Sequence, residues 1–467
     1  MKNKLKILFI KSYAYTPNQS FDVPLGVLYL SGYLKKHLKQ KVSTALIDLR
    51  IHKDTKKALK ASLEDFKPDI IGISTLAFEH QFLADNINFI RKYAPESQIL
   101  IGGPYATSNY SKALLDNDID YAVIGEGEAV LLNFSKAFPD KSRIRKIKGL
   151  AYKDGNTVKC NEKEDYIENL DTIPMPDYSL VDFRDYWKNR FQFNGILAEN
   201  KHASVISSRA CPYRCIYCHD IFGKQFRTRS ASHFVNEIKY LYHTHGVREF
   251  HIIDDVFNLN RERMHDILNL IINSDMRLKI AFPNGVRGDI LEKEDILLLK
   301  QAGTYMITFA IETGSERVQK LIKKNINIPK ILDNINYAHQ IGLITRGFFM
   351  LGFPDETIDE MKLTVKTAAQ SRLNMASFFI VVPFKNTELY DIARNQLSNT
   401  DEDFLSAYIA TDSFYEKVTG YNVSRLQKYA YLRFYSPIRL LKLFLIIPKK
   451  RYQVTKWMSF AYELLKQ

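Results

Sequence analysis

Short apolar runs alternate with stretches of helical period through the first 140 residues. The runs are Lys6–Ile10, Ser43–Ile47, Ile70–Ser74, Gln98–Ile101 and Tyr121–Ile124, each the length of a buried strand. Between them, apolar residues recur three and four apart, as in LGVLYLSGYLKKHLK from Leu25 to Lys39. This alternation predicts a doubly wound parallel sheet over residues 1–140. Every predicted strand after the first ends in residues suited to ligand contact: Asp48, Ser74 with Thr75, Gly102-Gly103-Pro104, and Gly125-Glu126-Gly127-Glu128. Ligands of such sheets bind outside the carboxyl ends of the strands.

The pattern fades over 141–195, which is polar and then rich in Pro and aromatics (TIPMPDYSLVDF), and predicts a linker with local turns. A second strand–helix series follows over 196–390, with strands ASVIS, EFHII, LKIAF, MITFAI, TRGFFML and ASFFIVV. Six such units imply a parallel barrel or part of one. Residues 391–467 read as a helical, basic carboxyl-terminal region, and no 20–50-residue repeat or low-complexity tract interrupts the chain.

Composition narrows the class. Hydrophobic residues at 46% and charged residues at 25% are those of a soluble globular protein. The opening MKNKLKILFIKSYAYTP reads as a first strand, because its apolar run is too short for a signal peptide. No run approaches the roughly 18 apolar residues of a spanning helix, so a cytoplasmic location is expected. The net charge of +14 suggests nucleic acid until it is located. From Tyr421 to Gln467 ten Lys/Arg residues face one acid, Glu463, so +9 of the excess sits in the tail and no nucleic-acid partner is expected. That tail also carries RLLKLFLII (Arg439–Ile447) and Trp457. Either it is a helical cap whose apolar face packs on the barrel, or it lies peripherally on an anionic membrane surface.

Cysteine placement is the strongest chemical signal. The chain has four cysteines, and Cys211, Cys215 and Cys218 fall within eight positions in SSRACPYRCIYCHD. Crowded thiols point to a soft metal. A closed zinc site needs a fourth ligand, for which Cys160 is remote and His219 too near in sequence. Buried structural cysteines do not suit a loop holding Pro212, Arg214 and Asp220. Three thiolates without a fourth suggest an iron–sulfur cubane with one iron open to a ligand, kept in a reducing cytosol.

This loop follows the first strand of the second series, and later strands also end in polar or glycine-containing runs. They are Asp254-Asp255, Asn284-Gly285-Val286-Arg287, Glu312-Thr313-Gly314-Ser315, Gly352-Phe353-Pro354 and Pro383. Any one of them could be a cap or turn. A parallel barrel gathers all of them on one rim with the cysteines.

The CxxxCxxC loop and these rim signals resemble the radical S-adenosylmethionine enzymes across roughly 200–390. The resemblance implies that Cys211, Cys215 and Cys218 hold a 4Fe–4S cluster whose open iron binds S-adenosylmethionine. Tyr217 would border the adenine, and Asp254 and Asp255 occupy the position that receives the amino group. Arg287 and Glu312 would complete the ribose and carboxylate contacts. The second strand ends in IIDD where many members have Gly-Gly-Glu, so the resemblance does not say which carboxylate acts.

PLGVLYLSGYL (Pro24–Leu34), IIGIS, IGGPYAT (Ile101–Thr107) and VIGEGE (Val123–Glu128) in turn resemble the cobalamin-binding domain that precedes the barrel in one class of these enzymes. The implied fold is α/β: a Rossmann-like doubly wound cobalamin-binding domain, then a partial (β/α)6 TIM-type barrel and a helical carboxyl-terminal region. The implied cobalamin contacts are Ser74, Thr75, Gly102, Gly103, Gly125 and Glu126, the glycines letting backbone approach a large ring and nucleotide tail. The first loop, KSYAYTPNQS from Lys11 to Ser20, has no histidine, so cobalt would be held without one. A flavodoxin-like interaction module is the alternative for this domain.

The function implied is a cobalamin-dependent radical methyltransferase. It would act through a 5′-deoxyadenosyl radical on an unactivated carbon or phosphorus of a small-molecule or lipid intermediate, with an external one-electron reductant. A cyclase or rearrangement enzyme on the same scaffold is the main rival. A tRNA methylthiotransferase would carry cysteines in its first domain, whereas residues 1–159 have none. A non-enzymatic cofactor sensor is the remaining class.

Overall fold

A computed structural model describes residues 4–13, 22–188, 196–396, 416, 420–449, 454 and 458. The chain forms two units, Met1–Asn189 with Ile221–Gly223, and Arg190–Asp220 with Lys224–Gln467.

In the first unit, strands β1 (Leu5–Lys11), β2 (Val42–Asp48), β3 (Ile70–Ser74), β4 (Gln98–Gly102) and β5 (Tyr121–Val123) run parallel. Their apolar runs bury Ile7, Phe9, Ile70, Leu100 and Tyr121 against helices such as Leu25–Leu38 and Gly127–Ala137. Stripes at helical spacing and runs at strand spacing thus form one core, as the pattern predicts.

The sheet is nevertheless mixed rather than wholly parallel. Residues 141–195, expected as a linker, supply β6 (Leu150–Asp154) and β7 (Thr157–Cys160), which extend the order to β2-β1-β3-β4-β5-β6-β7 with antiparallel pairing. A two-residue turn joins them, with Gly155 at φ +63°, where such a hairpin requires a left-handed residue. The hairpin escapes periodicity analysis because β7 is an outer strand whose side chains are mostly exposed, leaving no apolar run to read. The Gly155-Asn156 pair between the strands is its available signal.

The second unit is built on a six-stranded parallel sheet, order β15-β14-β13-β12-β11-β8, the sheet of a partial (β/α)6 barrel. Its strands are β8 (His202–Val205), β11 (Glu249–Ile252), β12 (Lys279–Val286), β13 (Thr304–Glu312), β14 (Ile344–Leu351) and β15 (Met375–Ile380). A short antiparallel ribbon, β9 (Ser208–Arg209) with β10 (Arg227–Thr228), follows β8. Asn284, Gly285 and Val286, expected in a loop, belong to β12, whose pairing with β13 shifts register between Phe282 and Val286. A bulge of this kind re-aims side chains without ending the strand.

The outer side of β15 is covered by the helix Val423–Phe434 and the residue after it. Gln427 donates to the Phe378 carbonyl, and the Tyr431 hydroxyl accepts from the Phe378 N–H. The Tyr435 hydroxyl accepts from the Ala376 N–H and donates to the Ala376 carbonyl. Residues four apart on a helix meet a strand this way, which satisfies backbone groups that would otherwise invite edge pairing. The carboxyl-terminal region therefore begins as the expected cap. Trp457 lies outside the described residues.

Candidate functional site

The cysteine loop leaves β9 through Ala210, whose φ of +71° is uncommon for a residue with a Cβ. Ile216, between the second and third cysteines, anchors the loop in an apolar cluster with Val318, Ile322, Phe353, Val381 and Leu389. Its N–H donates to the Ile322 carbonyl, and its carbonyl accepts from the Leu389 N–H. The Cys218 N–H closes the turn on the Cys215 carbonyl.

Burial pushes the Cys211 thiol above its ordinary value, against the pull of the Tyr213 N–H. Cys218 shows one side to solvent, but crowding of its sulfur and then the neighbouring Cys215 push it up to about 12. Metal loading must therefore expel protons. Among the described residues, no group of three His, Cys, Asp or Glu side chains could hold a single metal ion. A 4Fe–4S cubane binds its thiolates through different irons, and three mutually influencing thiols on one anchored loop fit that donor set. Cys160 ends β7 beside Tyr110 in the first unit.

The two aspartates after β11 have different fates. Asp254 is buried, and its carboxylate accepts from the Ser207 N–H (2.6 Å), the Ser207 hydroxyl (2.5 Å) and the Ser208 hydroxyl (2.5 Å). Asp255 is exposed, and His219, Lys224 and the Ala210 N–H all act on its carboxyl. Enclosure by the surrounding loops still raises that carboxyl above its ordinary value. Its charge is also felt by Cys211 and Cys218, so Asp255 is the member of the pair that addresses the cysteines.

Glu312 ends β13 at φ +66°, a second non-glycine residue in the left-handed region at this mouth. Its carboxylate receives Lys324 Nζ at 2.7 Å, and the same ammonium reaches the Tyr217 hydroxyl at 3.3 Å. The Tyr217 ring packs on Phe353 with centroids 5.6 Å apart, and burial, then Glu312, push its hydroxyl well above its ordinary value. Arg287 is committed within the protein: it pairs with Asp289 at 3.1 Å and lies over the Tyr213 ring at 3.7 Å. It braces the cysteine loop. Lys324 escaped sequence reading because it lies beyond a strand end, in a turn after the helix Glu316–Leu321.

In the first unit the expected contacts collect at the carboxyl ends of β3, β4 and β5. The Ser74 carbonyl accepts the Ser12 hydroxyl at 2.8 Å, while the fully buried Thr75 hydroxyl meets no partner among the described residues. A Cβ on Gly102 would meet nothing within 4 Å among the described residues. Gly103, at φ +94°, passes so near Thr75 that a Cβ would stand 3.0 Å from the Thr75 carbonyl. The Gly125 N–H donates to the Thr107 hydroxyl at 3.1 Å, and Glu126 is buried at the start of the helix Gly127–Ala137. An orphaned buried hydroxyl beside an open glycine backbone fits a large polar ligand.

At the end of β1, the Lys11 ammonium is buried against Glu79, which also accepts from the Ser12 hydroxyl at 2.7 Å. Asp48 pairs with Arg50 at 2.6 Å and accepts from the Tyr186 hydroxyl at 3.0 Å. Glu79 is invisible to a strand-end search because it meets Lys11 and Ser12, which lie 68 and 67 residues away, and Arg50 because it follows the strand end at Asp48 rather than forming it. The rest of the histidine-free loop, residues 14–21, lies outside the described residues.

Comparison with known proteins finds a known family for each of the two units. The Radical SAM superfamily model matches residues 205–368 and the B12 binding domain model matches residues 21–135. An uncharacterised methyltransferase of Pyrococcus horikoshii is 30% identical over 420 residues, covering 88% of this chain and 87% of that one. The cytidylyl-2-hydroxyethylphosphonate methyltransferase of Streptomyces wedmorensis is 28% identical over 362 residues, covering 70% and 67%. Among solved structures, the radical S-adenosylmethionine methyltransferase TsrM of Kitasatospora setae, with cobalamin and a [4Fe–4S] cluster bound, shares the fold. Its TM-score is 0.70 at 18% identity, over 84% of this chain and 78% of that chain. The chain belongs to the radical S-adenosylmethionine enzymes that carry a cobalamin-binding domain, a family whose cofactors are a 4Fe–4S cluster, S-adenosylmethionine and cobalamin.

Proposed function

We propose that the protein is a cobalamin-dependent methyltransferase acting on an unactivated carbon or a phosphorus centre of a small-molecule or lipid intermediate. The observation that carries this reading is the presence in one chain of an anchored three-thiol loop at a barrel mouth and a glycine-lined strand-end cradle with an orphaned hydroxyl. Relatives at 30% and 28% identity that are named for methyl transfer support it.

In this reading Cys211, Cys215 and Cys218 are the cluster ligands. Asp255 receives the amino group of S-adenosylmethionine. Asp254 is a positioning residue that ties β11 to Ser207 and Ser208. Lys324, held by Glu312, presents a cation to the cosubstrate carboxylate, and Tyr217 walls the site above Phe353. Thr75 and the backbone at Gly102 and Gly103 contact cobalamin. When bound, these groups supply one-electron cleavage of a sulfonium and a carrier for the methyl group.

The test is anaerobic reconstitution with iron, sulfide and hydroxocobalamin, followed by methyl-labelled S-adenosylmethionine and a one-electron reductant. Cobalamin retention and label transfer, first to cobalamin and then to an acceptor, are expected. If 5′-deoxyadenosine forms without methyl transfer, methylation is refuted and a cyclase or rearrangement takes its place. If the protein retains no cobalamin, cobalamin-dependent chemistry is refuted.

A further inference from the structure

The helix Pro437–Ile446 departs from the capping role of the helix before it. Only Leu443 is buried in it, beside Ile447, against Ala281, Met306 and Ile344 of the barrel. Phe444 packs partly on the same cluster, and much of the remaining apolar surface faces out: Ile438 is 68% exposed, Leu441 60% and Leu445 63%. At 100° per residue these three fall on one stripe together with Lys442. Single exposed leucines are ordinary, but a stripe of them on one helix marks a docking surface.

Charge identifies the occupant. Residues 420–449 contain six Lys/Arg and no Asp or Glu. Arg433 and Lys442 are exposed close in sequence to the stripe. A second copy docking face to face would set Lys442 near its own counterpart, with no acid in this region to offset it. A ten-residue helix is about 15 Å long, too short to cross a membrane, and no helix among the described residues is long and apolar enough to do so. Aliphatic residues flanked by cations of one sign suit the boundary between acyl chains and anionic headgroups.

We propose that the helix Pro437–Ile446 docks the protein on an anionic lipid bilayer, with Ile438, Leu441 and Leu445 entering the acyl boundary and Lys442 and Arg433 meeting headgroups. The proposal does not depend on the reaction catalysed.

Sedimentation of the intact protein with phosphatidylglycerol-containing vesicles, and with pure phosphatidylcholine vesicles, tests it. The protein should pellet with the former and stay largely in solution with the latter, and high salt should weaken pelleting. The double variant Leu441→Gln/Leu445→Gln should lower the partition coefficient at least about tenfold, and Lys442→Glu severalfold. Both replace exposed side chains, so an unchanged melting curve separates lost docking from lost fold. Failure to pellet with anionic vesicles overturns the proposal, as does equal pelleting of the double variant. A concentration-dependent dimer that the double variant dissociates, without vesicle binding, would assign the face to a second copy and also overturn it.

Discussion

Asp254 and Asp255 are adjacent in sequence, yet replacing them should have opposite consequences. Asp254→Ala strands the Ser207 N–H and the Ser207 and Ser208 hydroxyls, all of which now donate to its carboxylate within 2.6 Å. A hydrogen bond to a charged group contributes about 1.5–3 kcal/mol, and the cost of keeping this carboxylate buried offsets part of the total. The net loss should be about 3–5 kcal/mol. Asp254→Asn retains an acceptor oxygen and should lose less. Asp255→Asn alters an exposed side chain and should change stability by less than about 0.5 kcal/mol. It should nevertheless weaken S-adenosylmethionine binding about ten- to a hundredfold, because a charge-assisted contact to the amino group goes. The assays are anaerobic thermal melts of apo and reconstituted protein, and equilibrium dialysis with S-adenosylmethionine. Should Asp254→Ala melt with the parent, or Asp255→Asn keep its affinity, the two aspartates do not divide the work in this way.

Burial raises the Glu356 carboxyl from an ordinary 4.5 to about 7. The folded chain then holds this proton more tightly than the unfolded chain, so the stabilisation is present at acid pH and is lost as pH rises from about 4.5 through about 7. The loss should be about 3 kcal/mol, and Glu356→Gln should flatten that window in melts across pH. Gly103→Ala forces a side chain into a φ of +94° at 3.0 Å from the Thr75 carbonyl. It should cost about 1–3 kcal/mol and lower cobalamin retention, read by absorbance after desalting. The pair Gln427→Ala/Tyr435→Phe removes side chains bonded to Phe378 and Ala376, and should increase aggregation, followed by light scattering during mild heating. Cys215→Ser should abolish reconstitution of the cluster, measured as iron and sulfide content, while leaving cobalamin retention intact.

Much of the site could be read before the fold was known, because its signals are local. Three cysteines within eight residues identify thiolate chemistry wherever the chain places them. Runs such as Ile70–Ser74 and Ile344–Leu351 declare buried parallel strands because both faces are covered. The hairpin β6-β7 is hard to read for the complementary reason: an exposed outer strand leaves little trace in hydrophobicity. Arg287 could be named as a polar residue near a strand end, but not as a brace on Tyr213, since that contact joins residues 74 positions apart.

The order of the two α/β units, the location of the thiols and the strand ends where ligands gather are legible in the chain alone. Each of these depends on residue type and spacing along the chain. Which of two neighbouring aspartates is sealed in and which faces the cysteines emerges on folding, because the deciding donors come from a segment 47 residues away. The same holds for the carboxyl-terminal region. Two successive helices carry similar apolar and basic residues, and their spacing does not distinguish them. One lies where backbone groups of β15 need partners. The other meets the barrel through Leu443, Phe444 and Arg439 and turns its remaining leucines outward.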